Sequence, residues 1–294
     1  MGIRGQRPGV EAVPLGDAVT SWISRFPRPK SGSFARPPSV RQLMNTQQQA
    51  ATGERYVYSE DELRAAISEV TSRFEVDAAG FFMAGGGSIV VAGSFTVQEP
   101  ITIPWPAVLL TIRALAGSRI SPVAADQGAL FIVQSAYTTI RDLFVFYGAI
   151  DGLPSAYFTT LVELEETVNE YNIDPDRCSL IGNQVWAERL YVDETSAGDD
   201  AIIANNFIVD VGATADACVH ITSKRCVVQG NRLDQSTGDV VTLGAGAEWC
   251  SIVGNHCDLN DITSSASSGE NVISSNVRVG TITSHATDAV GLNT

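Results

Sequence analysis

The chain has 294 residues, a hydrophobic content of 44% and a formal net charge of −14 at pH 7, which suits one long domain or two small ones around a packed core. No apolar run approaches the ~20 residues that a membrane-spanning helix needs, and the first thirty residues lack the apolar stretch of a secretion signal. We therefore expect a protein made in the cytoplasm that has no membrane partner. The acidic balance also argues against nucleic acid as a partner along the body of the protein.

Residues 1–58 are predicted to form an N-terminal arm that differs in charge from the rest of the chain. They carry eight Lys/Arg and three Asp/Glu, a balance of +5, whereas residues 59–294 carry eleven and thirty, a balance of −19. Six of the twelve prolines fall within residues 1–55, so we expect little regular structure there. A basic arm on an acidic body suggests that the two parts face different partners.

One short segment of the arm is predicted to be an amphipathic helix, because its apolar residues have helical spacing and would form one stripe. These residues are Val19, Trp22, Ile23 and Phe26. The basic residues of the arm include Arg4, Arg7, Arg25, Arg28, Lys30 and Arg36. Two interpretations of the stripe stay open: an anchor that docks into a groove of a partner protein, or a plug over an open end of this chain's own body.

A capping box at Ser59 and Glu62 predicts a helix over roughly residues 59–73. The apolar residues that follow at helical spacing are Leu63, Ala66, Ile67, Val70 and Phe74. Next comes a Gly-rich segment, A-G-G-G-S-I-V-V-A-G-S-F-T-V-Q-E-P-I-T-I-P at residues 84–104, which predicts a turn and short strands. Further apolar segments at 109–112, 130–133 and 140–146 are also predicted to be strands.

Five segments in the second half of the chain repeat one pattern, in which apolar and polar residues alternate, as in a strand, up to a final asparagine. The asparagines lie 21 to 25 residues apart, at Asn183, Asn206, Asn231, Asn255 and Asn276. A period in this range predicts a solenoid in which each repeat is one turn. With short strands in every turn, the solenoid is predicted to be a parallel β-helix whose coils stack about 4.8 Å apart.

The asparagines are predicted to form a ladder at an internal bend, each in the left-handed conformation and bonded to its copy in the next coil. Two other repeated positions are predicted to point into the coil. The fifth position before each asparagine holds Cys178, Ala201, Cys226, Cys250 and Asn271, and the third holds Leu180, Ile203, Val228, Ile252 and Ile273. We therefore expect buried thiols and no disulfide, because stacked side chains suit a disulfide poorly. The absence of a CxxC pair predicts no zinc site, and no cofactor is expected.

Residues 151–176 are predicted to bulge from the coil as a loop or short helix. In this interpretation Asp142 occupies the position of the later asparagines, and its distance of 41 residues from Asn183 is too long for one coil and too short for two. The segment is acidic, so it is either a solvated excursion or a loop that contacts a partner or a glycan.

The helix, the Gly-rich turn, the short strands ending in I-T-I-P and the asparagine ladder together resemble the pectate-lyase-like right-handed β-helices. That superfamily includes polygalacturonases and phage tailspikes, and the resemblance covers residues 59 to about 285. It implies three strands per coil and, for viral members, a homotrimer. The expected fold is thus all-β: a single-stranded, right-handed parallel β-helix of roughly nine coils with an N-terminal capping helix at 59–285, an extended arm at 1–58 and a polar tail at 286–294.

No catalytic residue is assigned from the sequence. Polygalacturonases use paired carboxylates within N-T-D, G-D-D, G-H-G and R-I-K motifs; this chain has G-D-D at 198–200 but neither G-H-G nor R-I-K. A second set, Asp216, Asp239 and Asp261, precedes the inward positions by ten or eleven residues. It predicts a vertical row of acids, roughly 5 Å apart in adjacent coils. Turn chemistry is the favoured interpretation, and a bound glycan or cation and catalysis stay open.

Basic and metal-binding residues give weaker signals. Pectate lyases need a calcium cluster and a basic arginine, for which Arg225 and Arg232 are candidates by residue type alone. The three histidines, His220, His256 and His285, show no metal-ligand spacing.

Taken with the resemblance, these features lead us to expect a non-enzymatic virion protein: a homotrimeric, tailspike-like decoration or cement protein of a phage capsid. The apolar stripe of the arm would anchor it and the arm's basic residues would pair with acidic groups of the shell. The alternative is a short tailspike or tail-fibre protein that binds or hydrolyses a host surface polysaccharide. A third interpretation is a bacterial polysaccharide lyase, which the missing secretion signal disfavours.

Overall fold

The computed structural model describes residues 53–76, 82–84, 86–122, 127–146, 158–164, 176–187, 192–194, 198–210, 217–234, 238–265 and 268–294. Strands are numbered below in chain order. In the described residues ten parallel strands stack into one sheet, called here the long sheet. They are β1 Glu54–Val57, β4 Gly87–Val91, β7 Leu110–Ala114, β10 Thr139–Arg141, β13 Ser179–Ile181, β16 Ile202–Ala204, β19 Val227–Gln229, β22 Ser251–Val253, β24 Val272–Ser274 and β26 Ala289–Val290.

Two further faces complete each coil. The second face is a six-stranded parallel sheet of β5 Phe95–Val97, β8 Ile120–Pro122, β11 Phe144–Phe146, β14 Gln184–Ala187, β17 Phe207–Asp210 and β20 Arg232–Asp234. The third face holds two four-stranded parallel sheets, β6 Ile101–Ile103, β9 Gln127–Val133, β12 Phe158–Leu164 and β15 Val192–Glu194, then β18 Val219–Ile221, β21 Asp239–Leu243, β23 Asp261–Ser264 and β25 Ile282–Thr283. A coil such as β13–β14–β15 therefore has three strands, which confirms the predicted parallel β-helix.

A helix, α1 Glu60–Thr71, follows β1 in the chain. Between this helix and β4, the strands β2 Glu75–Val76 and β3 Phe82–Ala84 form a short antiparallel pair. The start of α1 follows the predicted capping box: Ser59 Oγ accepts a hydrogen bond from the Glu62 N–H at 3.3 Å. The Glu62 carboxylate reaches back one residue beyond the N-cap and accepts from the Tyr58 N–H at 2.7 Å. Two orphan donors at the helix N-terminus are thereby satisfied.

The apolar side of α1 covers the first coils. Leu63, Ala66, Ile67 and Val70 are buried, as the helical spacing predicted. Val70 approaches Gly87 so closely that a Cβ on the glycine would lie 2.8 Å from a Val70 methyl carbon, so only glycine fits there. The last residue of the predicted stripe, Phe74, lies beyond the helix and packs edge-on against Trp105, with ring centroids 5.1 Å apart.

The asparagine ladder is present and fully hydrogen-bonded. In each step, the backbone N–H and the side-chain amide of one asparagine both donate to the Oδ1 of the next, as in Asn206 to Asn231 at 2.9 and 3.0 Å. Each side-chain amide also donates to a main-chain carbonyl of a preceding strand, Asn206 to Leu180 at 3.0 Å. The five predicted asparagines are at most 2% exposed, so the ladder satisfies polar groups that would otherwise be costly to bury.

The backbone conformation of the ladder differs from the prediction. The left-handed residue is the one before each asparagine, with positive φ at Gly182, Asn205, Gly230, Gly254 and Ser275. The asparagine itself begins the next strand direction, and its amide, not its tolerance of positive φ, explains why it occupies that position. The glycines before the ladder fit the bend as expected.

The 41-residue step between Asp142 and Asn183 spans a single coil. Strands β10 and β13 pair directly, with Ile140 opposite Leu180. Asp142 therefore aligns with Gly182, one residue before the ladder, and the ladder position itself is taken by Leu143, whose N–H donates to Asn183 Oδ1 at 3.1 Å.

The predicted bulge at 151–176 contains a strand. Residues 158–164 form β12, which pairs with β9 and β15 and buries Leu161, Val162 and Leu164. The acidic residues around this short apolar run hid its alternation in the sequence. Residues 151–157 and 165–175 lie outside the described residues.

The β-helix extends past both of its expected boundaries. Strand β1 pairs with β4 ahead of the helix, although residues 1–58 were assigned to the arm. At the other end, β26 pairs with β24, and Asn293 Oδ1 accepts both bonds from Asn276 at 3.0 Å. The segment expected to be a polar tail thus supplies the last strand of the long sheet and the last asparagine of the ladder.

The repeated inward positions form the core. The third position before each predicted asparagine is at most 5% exposed and the fifth at most 4%. All five cysteines are buried free thiols, as predicted for the three in the repeat. Contact with Cys250 and burial raise the pKa of Cys226, and burial raises the pKa of Cys257 to about 12, so both remain protonated apolar-like core residues.

A second, shorter ladder ties the last coil to the core. Asn271 Oδ1 accepts from the Cys250 N–H at 2.9 Å, and Asp288 Oδ1 accepts from the Asn271 backbone and side-chain N–H groups at 3.0 and 3.1 Å. Burial acts to raise the pKa of Asp288, but hydrogen bonds from Ser264, Asn271 and His285 outweigh it, and the pKa lies below its ordinary value.

We predict that Asn231→Ala lowers the free energy of unfolding by about 2–5 kcal/mol, because it leaves buried N–H groups of Asn206 without an acceptor. Asn293→Ala, at the half-exposed end of the same ladder, should cost less than about 1 kcal/mol because water can replace the lost bonds. Guanidinium denaturation midpoints of the two variants measure the difference. Equal losses would contradict the view that burial makes the ladder stabilising.

A pH dependence follows from Asp288. Because its folded pKa is depressed, its stabilising contribution is present above the unfolded pKa of about 3.9 and is lost as pH falls through the folded value. Asp288→Asn keeps an oxygen acceptor but cannot titrate. The melting temperature of the wild type should exceed that of the variant at pH 6, and the gap should narrow as pH falls below about 3.9. A gap that is constant over this range would refute the assignment.

Candidate functional site

Many of the predicted site residues lie outside the part of the chain that the structure describes. These are the arm residues Val19, Trp22, Arg25, Ile23, Phe26, Arg28, Lys30 and Arg36, and the first acid of the predicted row, Asp216. They stay predictions.

The two described members of the acid row lie opposite each other in register, on β21 and β23. Asp239 Oδ2 accepts from the Thr242 hydroxyl at 3.2 Å, and Asp261 Oδ1 accepts from the Thr281 N–H of the next coil at 2.5 Å. The first bond thus lies within β21, and the second joins two successive coils. Among the described residues no group of three His, Cys, Asp or Glu side chains is arranged to hold a metal ion.

A row of strained residues runs beside the long sheet and was not predicted. At one position in seven successive coils the residue is left-handed with φ between 55° and 65°, although none is glycine. The residues, called here the left-handed row, are Leu109, Tyr137, Arg177, Asp200, Arg225, Trp249 and Glu270. Such a conformation costs roughly 1–2 kcal/mol per residue. Each of the last five lies six positions before a ladder asparagine, but their residue types carry no signal for this conformation.

The main chain of the row is held by the neighbouring coil. The Tyr137 N–H donates to the Asp176 carbonyl and the Arg225 N–H to the Glu248 carbonyl, both at 2.9 Å. These bonds offset the strain. The geometry aims the side chains of the row outward, so that residues from coils far apart in sequence lie next to one another.

Opposite charges alternate along the middle of the row. Arg225 Nε donates to Asp200 Oδ1 at 2.7 Å and Arg225 Nη2 to Asp199 Oδ2 at 2.9 Å. The hydrogen bond from Arg225 holds the pKa of Asp200 below its ordinary value against the effect of burial, and its bond to Asp200 in turn raises the pKa of Arg225. The carboxylates of the G-D-D motif are thus engaged in ion pairs between coils.

Charged side chains also pack against the aromatic residues of the row. Arg177 Nη1 donates to the Tyr137 hydroxyl at 2.6 Å and its guanidinium lies 5.4 Å from the ring centroid. Trp249 is 51% exposed; its indole N–H donates to the Glu270 carboxylate, and Lys224 Nζ lies 5.5 Å from the ring centroid. The row therefore presents Tyr, Trp and Arg side chains at the surface.

The remaining candidates of the sequence are dispersed. Arg225 belongs to the ion pairs above, and the Arg232 guanidinium stacks over Phe207 on the second face, 5.1 Å from the ring centroid. His220 lies between buried neighbours and faces outward. The structure does not bring these residues together into a site.

An open groove lies where the chain turns from β10 into β11. Its volume is about 450 Å³, and its walls include the turn at residues 115–118, Asp142, Phe144 and Gln184. The Asp142 side chain is 56% exposed and its residue is left-handed, with φ 55°. A carboxylate and an amide beside an aromatic ring can hydrogen-bond hydroxyl groups and pack against an apolar ring face. The sequence had placed Asp142 one position off and did not find this groove.

Comparison with known proteins identifies the fold. The structure matches that of the Dettilon tailspike protein (gp208) with a TM-score of 0.55 and 14% sequence identity, over 94% of this chain and 52% of the tailspike. A weaker similarity is found to the ORF18 protein of Geobacillus virus E2, with a TM-score of 0.42, 11% identity, and coverage of 90% and 64% of the two chains. The chain spans about half the length of the tailspike that it matches.

Comparison of the sequence with known proteins finds no match. No protein-family model matches the chain, and no curated protein matches it. The one helix among the described residues is too short and too polar to cross a membrane. By its fold, the chain is a parallel β-helix of the kind found in a phage tailspike.

Proposed function

We propose that the chain is a non-enzymatic structural protein of a phage particle: a homotrimeric, tailspike-like decoration or cement protein of the capsid, attached through its basic N-terminal arm. The observation that carries this proposal is that acidic side chains of the body form contacts between its coils. The β-helix has the fold of a tailspike, and Asp199, Asp200 and Asp261 are engaged in contacts between coils. A rigid acidic body remains, with no assembled catalytic set in the described residues.

The charge distribution supports attachment through the arm. The body carries −19 and the arm +5, so the arm is the part suited to acidic groups on a shell. Glu54 belongs to the body, because it pairs with Arg113 at 2.9 Å on the outside of the long sheet. A truncation that removes the arm and spares this pair therefore ends before residue 53.

Removing residues 1–52 should leave a folded body that no longer binds particles. We expect the truncated protein to keep the melting temperature of the full chain, because the truncation spares β1 and its ion pair. Full chain and truncation are each mixed with particles that lack the protein, and bound copies are counted by quantitative mass spectrometry. Hundreds of copies per particle are expected for the full chain and none for the truncation.

Two arm variants separate the contributions of the arm. One replaces Val19, Trp22, Ile23 and Phe26 by Ser, and the matched variant replaces Arg25, Arg28, Lys30 and Arg36 by Gln. The first should abolish binding at any salt concentration, and the second should weaken it at low salt only. Normal binding by the truncated body would refute attachment through the arm, and about a dozen copies per particle would place the protein on the tail.

The groove favours a second candidate function, a short tailspike or tail-fibre protein that binds or hydrolyses a host surface polysaccharide. Phe144 would pack against a sugar ring, while Asp142 and Gln184 would bond its hydroxyls. As part of this second function, we propose that the row of Asp216, Asp239 and Asp261 binds the glycan or a cation.

If this second function holds, Phe144→Ala should weaken retention on immobilised host polysaccharide at least about tenfold, since it removes the apolar contact. Phe207→Ala, on the same face two coils away, is the matched control and should bind normally. Asp142→Asn tests the carboxylate of the groove without straining the backbone, because Asn tolerates the left-handed conformation. If cleavage is seen, Asp239→Asn and Asp261→Asn test the acid row. An intact protein that neither binds nor cleaves the polysaccharide would exclude this function.

A further inference from the structure

The outer surface of the long sheet changes character along the coil. Three of its first four strands carry a charged outward side chain, Glu54 on β1, Arg113 on β7 and Arg141 on β10. From β13 to β26 the outward positions hold no charged residue. This region, called here the neutral face, consists of the outward side chains of β13, β16, β19, β22, β24 and β26.

Aliphatic side chains are prominent on the neutral face. Five of its positions are Ile181, Ile202, Val227, Val253 and Val272, and the others are Ser, Ala and Gln. Ile202 is 38% and Val272 42% exposed, whereas the inward residues that alternate with them are almost fully buried. Parallel sheets are usually covered on both faces, and a contiguous apolar patch marks an interaction surface.

The neutral face is bordered by the left-handed row, and together they have the anatomy of a protein interface. Six strands extend over ~24 Å along the coil. Beside this apolar centre lie Arg177, Arg225 and the half-exposed Trp249. An apolar centre with a polar border rich in Trp, Tyr and Arg is typical of stable interfaces.

We propose that the neutral face binds another copy of this chain. The body carries −19, so two copies repel one another over most of their surface. At the neutral face they can approach without opposing like charges. The border is also suited to a copy of itself, because the positive Arg177 and Arg225 alternate with acidic residues of the row, which supplies both signs for pairing between copies.

This inference rests on the homotrimer of the proposed function and specifies where its copies meet. It also accounts for the strain of the left-handed row. The left-handed conformation projects the Arg and Trp side chains outward along the border of the neutral face. Strain of this kind persists at surfaces where it positions side chains for a partner.

A matched pair of substitutions tests the proposal in the full chain. Val272→Glu places a charge on the neutral face, and Val277→Glu places the same charge at a valine that is 41% exposed and pairs with His256, outside the long sheet. Ile202→Glu places a charge on β16, three strands away from Val272 on the same face. Light scattering after size exclusion should give three times the monomer mass of 31.2 kDa for the wild type and Val277→Glu. Val272→Glu and Ile202→Glu should give the monomer mass.

Circular dichroism melting shows that each variant is folded before its mass is interpreted. A monomeric wild type at tens of micromolar would overturn the proposal, as would an oligomer that persists in the Ile202→Glu variant. Dissociation of Val277→Glu as well would mean that acidic charge anywhere prevents assembly, and would overturn the assignment of the face. Each of these outcomes leaves the count of copies on particles unaffected, so failure here is distinguishable from failure of the virion assignment.

Discussion

Between its two ends, each asparagine of the ladder accepts two hydrogen bonds from the coil before it and donates two to the coil after it. Because these groups are buried, a shift of any coil by one residue would leave several of them without partners, at a cost of about 1–3 kcal/mol for each group. The register of the β-helix is therefore fixed at one corner. The alignment of every other row, inside and outside the coil, depends on it.

The fixed register allows residues in unfavourable conformations to accumulate. Residues of the left-handed row would not hold positive φ in isolation, and the last five of the seven lie in coils that the ladder already positions. The same register brings Arg225 to Asp199 and Asp200, residues about one coil away in sequence. Surface charges that look scattered along the chain thus become ordered lines parallel to the axis.

The sequence predicted those parts of the fold that repeat with one residue type. The ladder asparagines, the inward apolar positions and the helix from Ser59 all follow from short-range patterns that physical chemistry makes specific. Asp142 was placed one position off because the register of β10 on β13 is set by pairing between residues about 40 apart in the chain. Strand β12 was missed because acidic residues surround its short apolar run. The boundaries at 58 and 286 were misplaced because polar composition hid β1 and Asn293.

Much less of the candidate site could be predicted. The left-handed row mixes Tyr, Arg, Asp, Trp and Glu, so no composition marks it, and only the register shows that these residues are neighbours. The groove beside Phe144 arises from a turn in one coil and a bend in the next. The neutral face was present in the sequence as an absence of charge at alternate positions, which becomes meaningful only when the strands are placed side by side.

The ladder also has a direction. Each coil within the ladder presents an amide oxygen to the coil before it and amide hydrogens to the coil after it. The coils with an asparagine at this corner are therefore chemically interchangeable. A copied segment of about 24 residues, inserted between two such coils, could form the same amide hydrogen bonds with the coil on either side. The length of the body is therefore a property that duplication can change without redesigning the core, as in a stack to which identical units can be added.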